Sequence, residues 1–304
     1  ILRIVLVLLL FVDVTLTVLP DAGDLFTEEG FGGKPLFYWM TKEGTHRWSL
    51  LQNVHHPGWA TFYIALWSLT SFTLTIGFFT RTSAVTVWLL AISVANANSY
   101  IDNAGDRIRN LLLFYLMLCP CGAVWSVDRW RQRRKEENAN ERTRIQVYPW
   151  PIFLIVVQMC MLYFLNGMYK ISGKDWPEGV SLYYVLGDMT LTRVSFEQFP
   201  IPLWMTKTIS HTVLYWELFF PVMMMIPWAG IADRIQHSRW KPVQGLHVYF
   251  RWNRMLMLLF GISFHLGIAL LMELGGFPWY AMCCYLPLAP WENLGRKPDD
   301  LVYS

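Results

Sequence analysis

Hydrophobic residues in this chain gather in long stretches that are almost entirely apolar, separated by short polar connections. The stretches run from Ile1 to Leu19, Trp59 to Phe79, Ala84 to Ala97, Leu111 to Trp125, Trp150 to Met168, Thr206 to Met225 and Met255 to Met272. At about 1.5 Å of rise per residue, roughly 20 apolar residues cross the hydrocarbon core of a bilayer as a helix. An eighth stretch, Phe277 to Pro290, is interrupted by Pro278 and Pro287, and reads as a tilted span, a re-entrant piece or part of a broken one. The alternation of a membrane barrel is absent. The pattern therefore predicts an all-α, polytopic membrane helical bundle of about seven to eight transmembrane helices, forming a single domain over residues 1–304. No internal repeat and no separate soluble domain is visible.

The polar connections refine that picture. Pro149 and Pro151 open the fifth stretch, as proline does at helix starts, while Pro120 and Gly122 predict a kink or an early end in the fourth. Thr80-Arg81-Thr82 reads as a very short turn. Thr45–Gln52 and Val180–Leu186 are apolar and aromatic enough to lie as interfacial helices in the outward loops. Gly30, Gly32 and Gly33 mark a flexible or tightly turning piece of the first loop. The Asp128–Arg144 loop carries seven Arg/Lys against four Asp/Glu, and the Ala229–Arg254 loop has Asp233 alone against five basic residues. With Arg81 these fall on one side of the membrane, which the positive-inside rule makes cytoplasmic. The amino terminus is then cytoplasmic, and Lys170 lies on the outer face. The first stretch lacks a small-residue cleavage site and reads as a retained span rather than a signal sequence.

Composition agrees and excludes other classes. Hydrophobic residues make up 54% of the chain and charged ones 15%, against roughly a quarter in soluble domains. A formal net charge of +3, with its basic residues in loops, gives no nucleic-acid surface. Five cysteines form no framework: Cys119 and Cys121 have one residue between them, and Cys160, Cys283 and Cys284 lie in apolar runs. His55 and His56 are adjacent, a poor arrangement for joint metal ligation on a helix, and no metal is assigned.

Candidate chemistry concentrates on Tyr163–Gly179, where the fifth stretch ends in lysines, an aspartate and a tryptophan. Tyr163, Tyr169 and Trp176 supply aromatics suited to the headgroup level. Lys170 either snorkels to the interface or is held in a polar site, and contact with the Tyr169 or Trp176 ring is a third reading. His211 and Glu217 lie in the sixth stretch. Glu217 is the costliest residue to place in hydrocarbon, so it should face the protein interior, either as a structural hydrogen-bonding group or as a functional one. Lys170, His211 and Glu217 are the candidate catalytic residues; Asn98, Asp106 and Asp175 are candidates for a polar mouth. A lysine serves as general base only when its amine is held neutral, whereas Asp175 or Glu178 beside it favours an ordinary ammonium.

The run YFLNGMYKISGKDWPEGVSLYYVL resembles the signature of the horizontally transferred transmembrane domain family, bacterial relatives of the membrane half of vitamin K-dependent gamma-carboxylase. HRWSL at His46–Leu50, GFFTR at Gly77–Arg81, WSVDRW at Trp125–Trp130 and FHLGIALLMELGGFPW at Phe264–Trp279 match in order. The resemblance implies a helical membrane bundle with an outward-facing cavity. It also implies that Lys170, which follows Tyr163, Phe164 and Gly167, stands where the carboxylase has its proposed base for reduced vitamin K. Two functions stay open. One is an enzyme or maturation factor with a site reached by a quinone-like or lipid ligand. The other is a non-catalytic subunit packing against a larger membrane complex. Membrane lipids are partners in either case, and the sequence names no cofactor.

Overall fold

A computed structural model describes residues 1–27, 30, 48–51, 54–98, 101–139, 145–147, 150–194, 200–228, 246–289 and 301–303. Gly32, Gly33, His46, most of the Thr45–Gln52 segment and the basic connection 229–245 lie outside the described residues. The chain forms two compact units: Ile1–Pro151 with Trp279–Cys283 and Lys297–Ser304, and Ile152–Pro278 with Cys284–Arg296.

In the first unit, α1 (Leu2–Asp13) runs into a π-helical turn at Val14–Val18, and the short α2 (Ala22–Phe26) follows. Then come α3 (Pro57–Ile76), α4 (Thr80–Ala97), α5 (Ala104–Leu118) and α6 (Val127–Ala139). A three-residue strand β1 (Ile145–Val147) pairs in parallel with β2 (Leu301–Tyr303), a minor exception to an otherwise helical fold. The second unit contains α7 (Trp150–Ser172), α8 (Ser181–Gly187), α9 (Leu203–Trp228) and α10 (Leu246–Leu271). The last helix, α11 (Phe277–Tyr285), ends in a 3₁₀ turn at Leu286–Leu288. Two of these helices, α3 and α7, are long and apolar enough to cross a membrane.

The helices bury one apolar stripe and expose another. On α1 and the π-helical turn that continues it, Leu6, Val7, Leu10 and Val14 are buried while Val5, Leu8, Val12 and Leu16 are exposed. On α3, Ile64, Trp67 and Leu74 face inward and Phe62, Leu69, Phe72 and Ile76 outward. A helix of a soluble protein would carry polar residues on its outward face. Apolar outward faces of this kind suit a lipid surround.

Several boundaries differ from the sequence expectation. The turn between α3 and α4 is not Thr80–Thr82 but Gly77–Phe79, because Gly77 takes the left-handed conformation at φ 74° and closes α3. The early end expected at Pro120 is found: α5 stops at Leu118. The non-helical segment that follows is held by Arg3, which donates to Cys121 O at 2.9 Å and also to Trp125 O. Backbone carbonyls covered by the fold have to find such a partner. The expected loop to Arg254 is shorter, since α10 begins at Leu246 and takes in Arg251 and Arg254. The eighth stretch becomes a nine-residue helix, about 13 Å long and less than half of a bilayer core. Its prolines explain the short length: Pro287 has no N–H to extend the helix. None of the five cysteines is joined in a disulfide. His56 caps α3, its Nδ1 accepting from Gly58 N at 3.0 Å.

Asp128, the second residue of α6, holds the α3–α4 turn. It accepts from Phe79 N at 3.0 Å, from Thr80 N at 2.7 Å and from the Thr80 hydroxyl, so it satisfies donors left free at the start of α4. Desolvation opposes its charge, but these donors and Arg131 outweigh that and hold the carboxyl below its ordinary value. A carboxylate depressed in the folded state stabilises above its unfolded pKa, and that contribution disappears as pH falls through the folded value. Asp128→Asn should lower the melting temperature at pH 7, and the gap from wild type should narrow below about pH 4. Gly77→Ala should cost about 1–3 kcal/mol, since an added Cβ meets Ser126 and Arg3 in a conformation alanine avoids. Thermal melts of the purified protein in detergent measure both.

Candidate functional site

The signature Tyr163–Lys170 folds as one face of a helix. Tyr163, Gly167 and Lys170 are spaced i, i+4 and i+7 on α7, so they line up along a single side. Phe164, Leu165, Met168 and Tyr169 occupy the other sides and are exposed, Tyr169 at 83%. Gly167 is there for packing: a Cβ would lie 2.9 Å from Leu218 Cδ2, so only glycine lets α7 approach α9 this closely. That approach brings Glu217, the neighbour of Leu218, against Lys170.

Lys170 Nζ donates to Glu217 Oε1 at 2.7 Å. The lysine side chain is 18% exposed and the glutamate 4%. The ammonium also sits 4.1 Å from the centroid of the Trp176 ring. Lys170 is therefore held in a polar site and does not snorkel. Neither Asp175 nor Glu178 is its ion-pair partner; both are exposed, and the Asp175 carbonyl accepts from Val180 N at 2.9 Å and Ser181 N at 3.2 Å to close the turn after α7. The aromatic reading is met by Trp176, not Tyr169.

His211 does not join this pair. Its Nε2 lies 2.9 Å from Pro177 O, so the protonated ring nitrogen donates to that carbonyl and ties α9 to the segment before α8. The two mouth candidates in the first unit have structural partners there. Asn98 is buried, with Nδ2 donating to Leu25 O at 2.9 Å. Asp106 completes a capping box with Asn103 at the start of α5 and pairs with Arg109. Arg109 is itself buried between the Trp67 and Tyr280 rings, 5.2 and 5.6 Å away.

A second polar group in the same unit as Lys170 was not assembled by sequence reasoning. The Tyr163 hydroxyl meets His265 Nε2 at 2.9 Å and bonds the Tyr285 hydroxyl. Tyr163 was expected at the headgroup level; instead its hydroxyl turns inward, because an i−7 position shares the Lys170 face. Its ring lies 4.6 Å from Trp216 and 4.5 Å from Phe220, the residues flanking Glu217 and Leu218 on α9. Phe260 and Phe264 of α10 stack on Trp216 at 4.9 and 5.9 Å. Gly261 gives the Tyr285 ring its room on α10. The signal for this cluster lay in His265, a histidine inside an apolar run, but its partners come from helices far apart in sequence.

Three buried atoms of this region have no hydrogen-bond partner among the described residues: Glu217 Oε2, Trp216 Nε1 and His265 Nδ1. Glu217 therefore offers one carboxylate oxygen to Lys170 and keeps the other open. Paired at 2.7 Å, the amine and carboxylate are coupled as one proton-holding unit, with the unpartnered Oε2 buried beside it. No group of three or more metal-ligating side chains occurs among the described residues.

A family model described as the HTTM domain matches residues 22–232, a stretch that includes Lys170, His211 and Glu217 but ends before His265 and Tyr285. No curated protein and no solved structure matches the chain.

Removing one partner of a buried pair strands the other charge, which costs about 3–5 kcal/mol, whereas apolar replacement of both is near neutral. Glu217→Ala should therefore destabilise more than the double variant Lys170→Met/Glu217→Leu. Chemical or thermal unfolding of the three proteins in the same detergent measures the difference.

Proposed function

This chain belongs to the HTTM domain family, and on that premise we propose that it is an integral membrane protein with an embedded site at Lys170 and Glu217. In this reading it is an enzyme or maturation factor of the carboxylase-like kind, and its ligand is quinone-like or lipid and arrives from the outer leaflet. The observation that carries the reading is the ion pair with its open Glu217 Oε2, buried inside apolar helices. Charges at such positions are expensive, so their presence points to function. Lys170 holds the proton, Glu217 fixes the amine and presents the second acceptor, and Trp176 covers the ammonium. A hydroxyl of a reduced ligand would donate to Oε2, and the pair would take up its proton. His211 positions the segment between α7 and α8 through Pro177 and does not touch the reacting proton.

The reading places seven to eight spans in a bacterial inner membrane, with the amino terminus cytoplasmic and Lys170 outward, supported by the basic residues of α6 and Arg81. A non-catalytic subunit of a larger membrane complex is the second reading. The exposed Met189, Trp204 and Tyr184 favour it, since thioether and aromatic surfaces suit protein contacts. Stoichiometric copurification with a defined complex is its signature, and a stable monomer contradicts it.

Reduced naphthoquinone is the probe that tests the first reading. Wild type should bind or turn it over, and Lys170→Ala and Glu217→Gln should weaken that by about tenfold or more, the worth of a hydrogen bond to a charged group. Equal behaviour of wild type and both folded variants contradicts the proposal.

A further inference from the structure

The segment Asp128–Arg144 reads in the sequence as a basic loop, yet its first part folds as the helix α6 and is anchored at its start. Asp128 N donates to Gly77 O at 3.0 Å while its carboxylate holds Phe79 and Thr80. The start of α6 is thereby fixed to the turn that ends α3. The outward side chains of α3, from Phe62 to Ile76, are apolar and suited to hydrocarbon. The residues just past Ile76 then sit where hydrocarbon gives way to headgroups.

At that level the first unit exposes Trp125 and Trp130 together with Arg81, Arg131, Arg134 and Lys135. Two of the guanidinium groups are stacked on rings: Arg131 lies 4.7 Å from the Phe78 centroid and Arg134 4.4 Å from that of Trp130. Stacking fixes the plane of an arginine and leaves its N–H edge free for a bidentate oxyanion. Trp125 has φ 52°, a left-handed conformation that a bulky residue adopts only when held, and Arg3 holds it through the Trp125 carbonyl. Its indole is therefore presented by the backbone and is not a loose loop tip. The acids nearby are largely engaged: Asp128 by the turn and Glu136 by the buried Arg129 at 3.1 Å, with Glu137 exposed.

We propose that Arg81, Arg131, Arg134 and Lys135, flanked by Trp125 and Trp130, form a binding site for the headgroup of an anionic phospholipid. The indoles sit at the glycerol level, the stacked arginines take the phosphate, and the site fixes the depth of the α3–α4 turn in the membrane. The inference needs α3 to cross the bilayer and is independent of any chemistry at Lys170, so either can fail alone.

The test uses the full chain reconstituted in phosphatidylcholine vesicles containing spin-labelled phosphatidylglycerol or spin-labelled phosphatidylcholine. Electron spin resonance of the motionally restricted lipid gives the preference of the protein for each. Wild type should prefer phosphatidylglycerol, and about 1 M salt should suppress that preference. Arg131→Gln/Arg134→Gln should reduce it severalfold, one basic side chain near the surface being worth about fivefold. Arg131→Lys/Arg134→Lys should retain most of it, and Lys174→Gln/Lys207→Gln in the second unit should leave it unchanged. Unaltered melting temperatures separate a lost headgroup from a lost fold. The proposal is overturned by equal association of the two lipids with wild type, by a glutamine double variant that behaves as wild type, or by an equal loss in the control pair. Displacement of the lipid preference by inorganic phosphate at constant ionic strength also overturns it, because the site would then recognise the free ion.

Discussion

A helix that is apolar on its outward side has one place for an ionised side chain, and that is against another helix. This constraint organises the second unit. Glu217 is nearly inaccessible and Lys170 is mostly covered, so each charge is tolerable only because the other is 2.7 Å away. The pair in turn requires α7 and α9 to approach closely, which Gly167 permits against Leu218. One missing side chain thus sets the distance at which two charged ones meet. Low dielectric then makes the pair difficult to break and any unpaired atom beside it costly, Oε2 of Glu217 included.

The same face carries a second, uncharged polar group. Tyr163, two turns before Lys170, places its hydroxyl between His265 and Tyr285, and aromatic rings from α9 and α10 surround it. The two polar groups differ in kind. Lys170 and Glu217 hold a full charge each and answer to an incoming proton donor or acceptor. Tyr163, His265 and Tyr285 join three helices through neutral hydrogen bonds, a task that side chains perform in membranes where hydrophobic association is weak. The first unit solves its own version of the problem with Arg109, shared between Asp106 and two rings, and with Arg3 on two carbonyls of the segment after α5.

How much of this was legible follows from what local pattern encodes. The apolar runs gave the helices, Pro120 the end of α5, and the cost of burying Glu217 its inward direction. Lys170 was visible as a charge in the wrong place. Its partner was not, since the pairing depends on a contact between residues 47 apart that only the Gly167 packing decides. His211 was grouped with Lys170 and Glu217 because it lies on the same apolar run as Glu217; its hydrogen bond to Pro177 shows that sharing a helix does not fix direction. Asp106 and Asn98 looked like a solvated mouth because caps and loop linings use the same residue types. Tyr163 looked interfacial because tyrosine is common at that depth, whereas its phase with Lys170 carried the better information. The eighth stretch was ambiguous for a plain reason: fourteen apolar residues with prolines specify neither a span nor a core helix.

The central claim is that Lys170 and Glu217 form a direct ion pair when the protein is in a lipid bilayer. Solid-state nuclear magnetic resonance of the reconstituted protein, with ¹⁵N in lysine side chains and ¹³C in glutamate carboxyls, reads that contact through nitrogen–carbon dipolar recoupling. The account predicts a cross-peak between one lysine nitrogen and one carboxylate carbon that disappears in Lys170→Arg. A spectrum lacking that cross-peak in the folded wild-type protein, or one in which it survives the substitution, contradicts it.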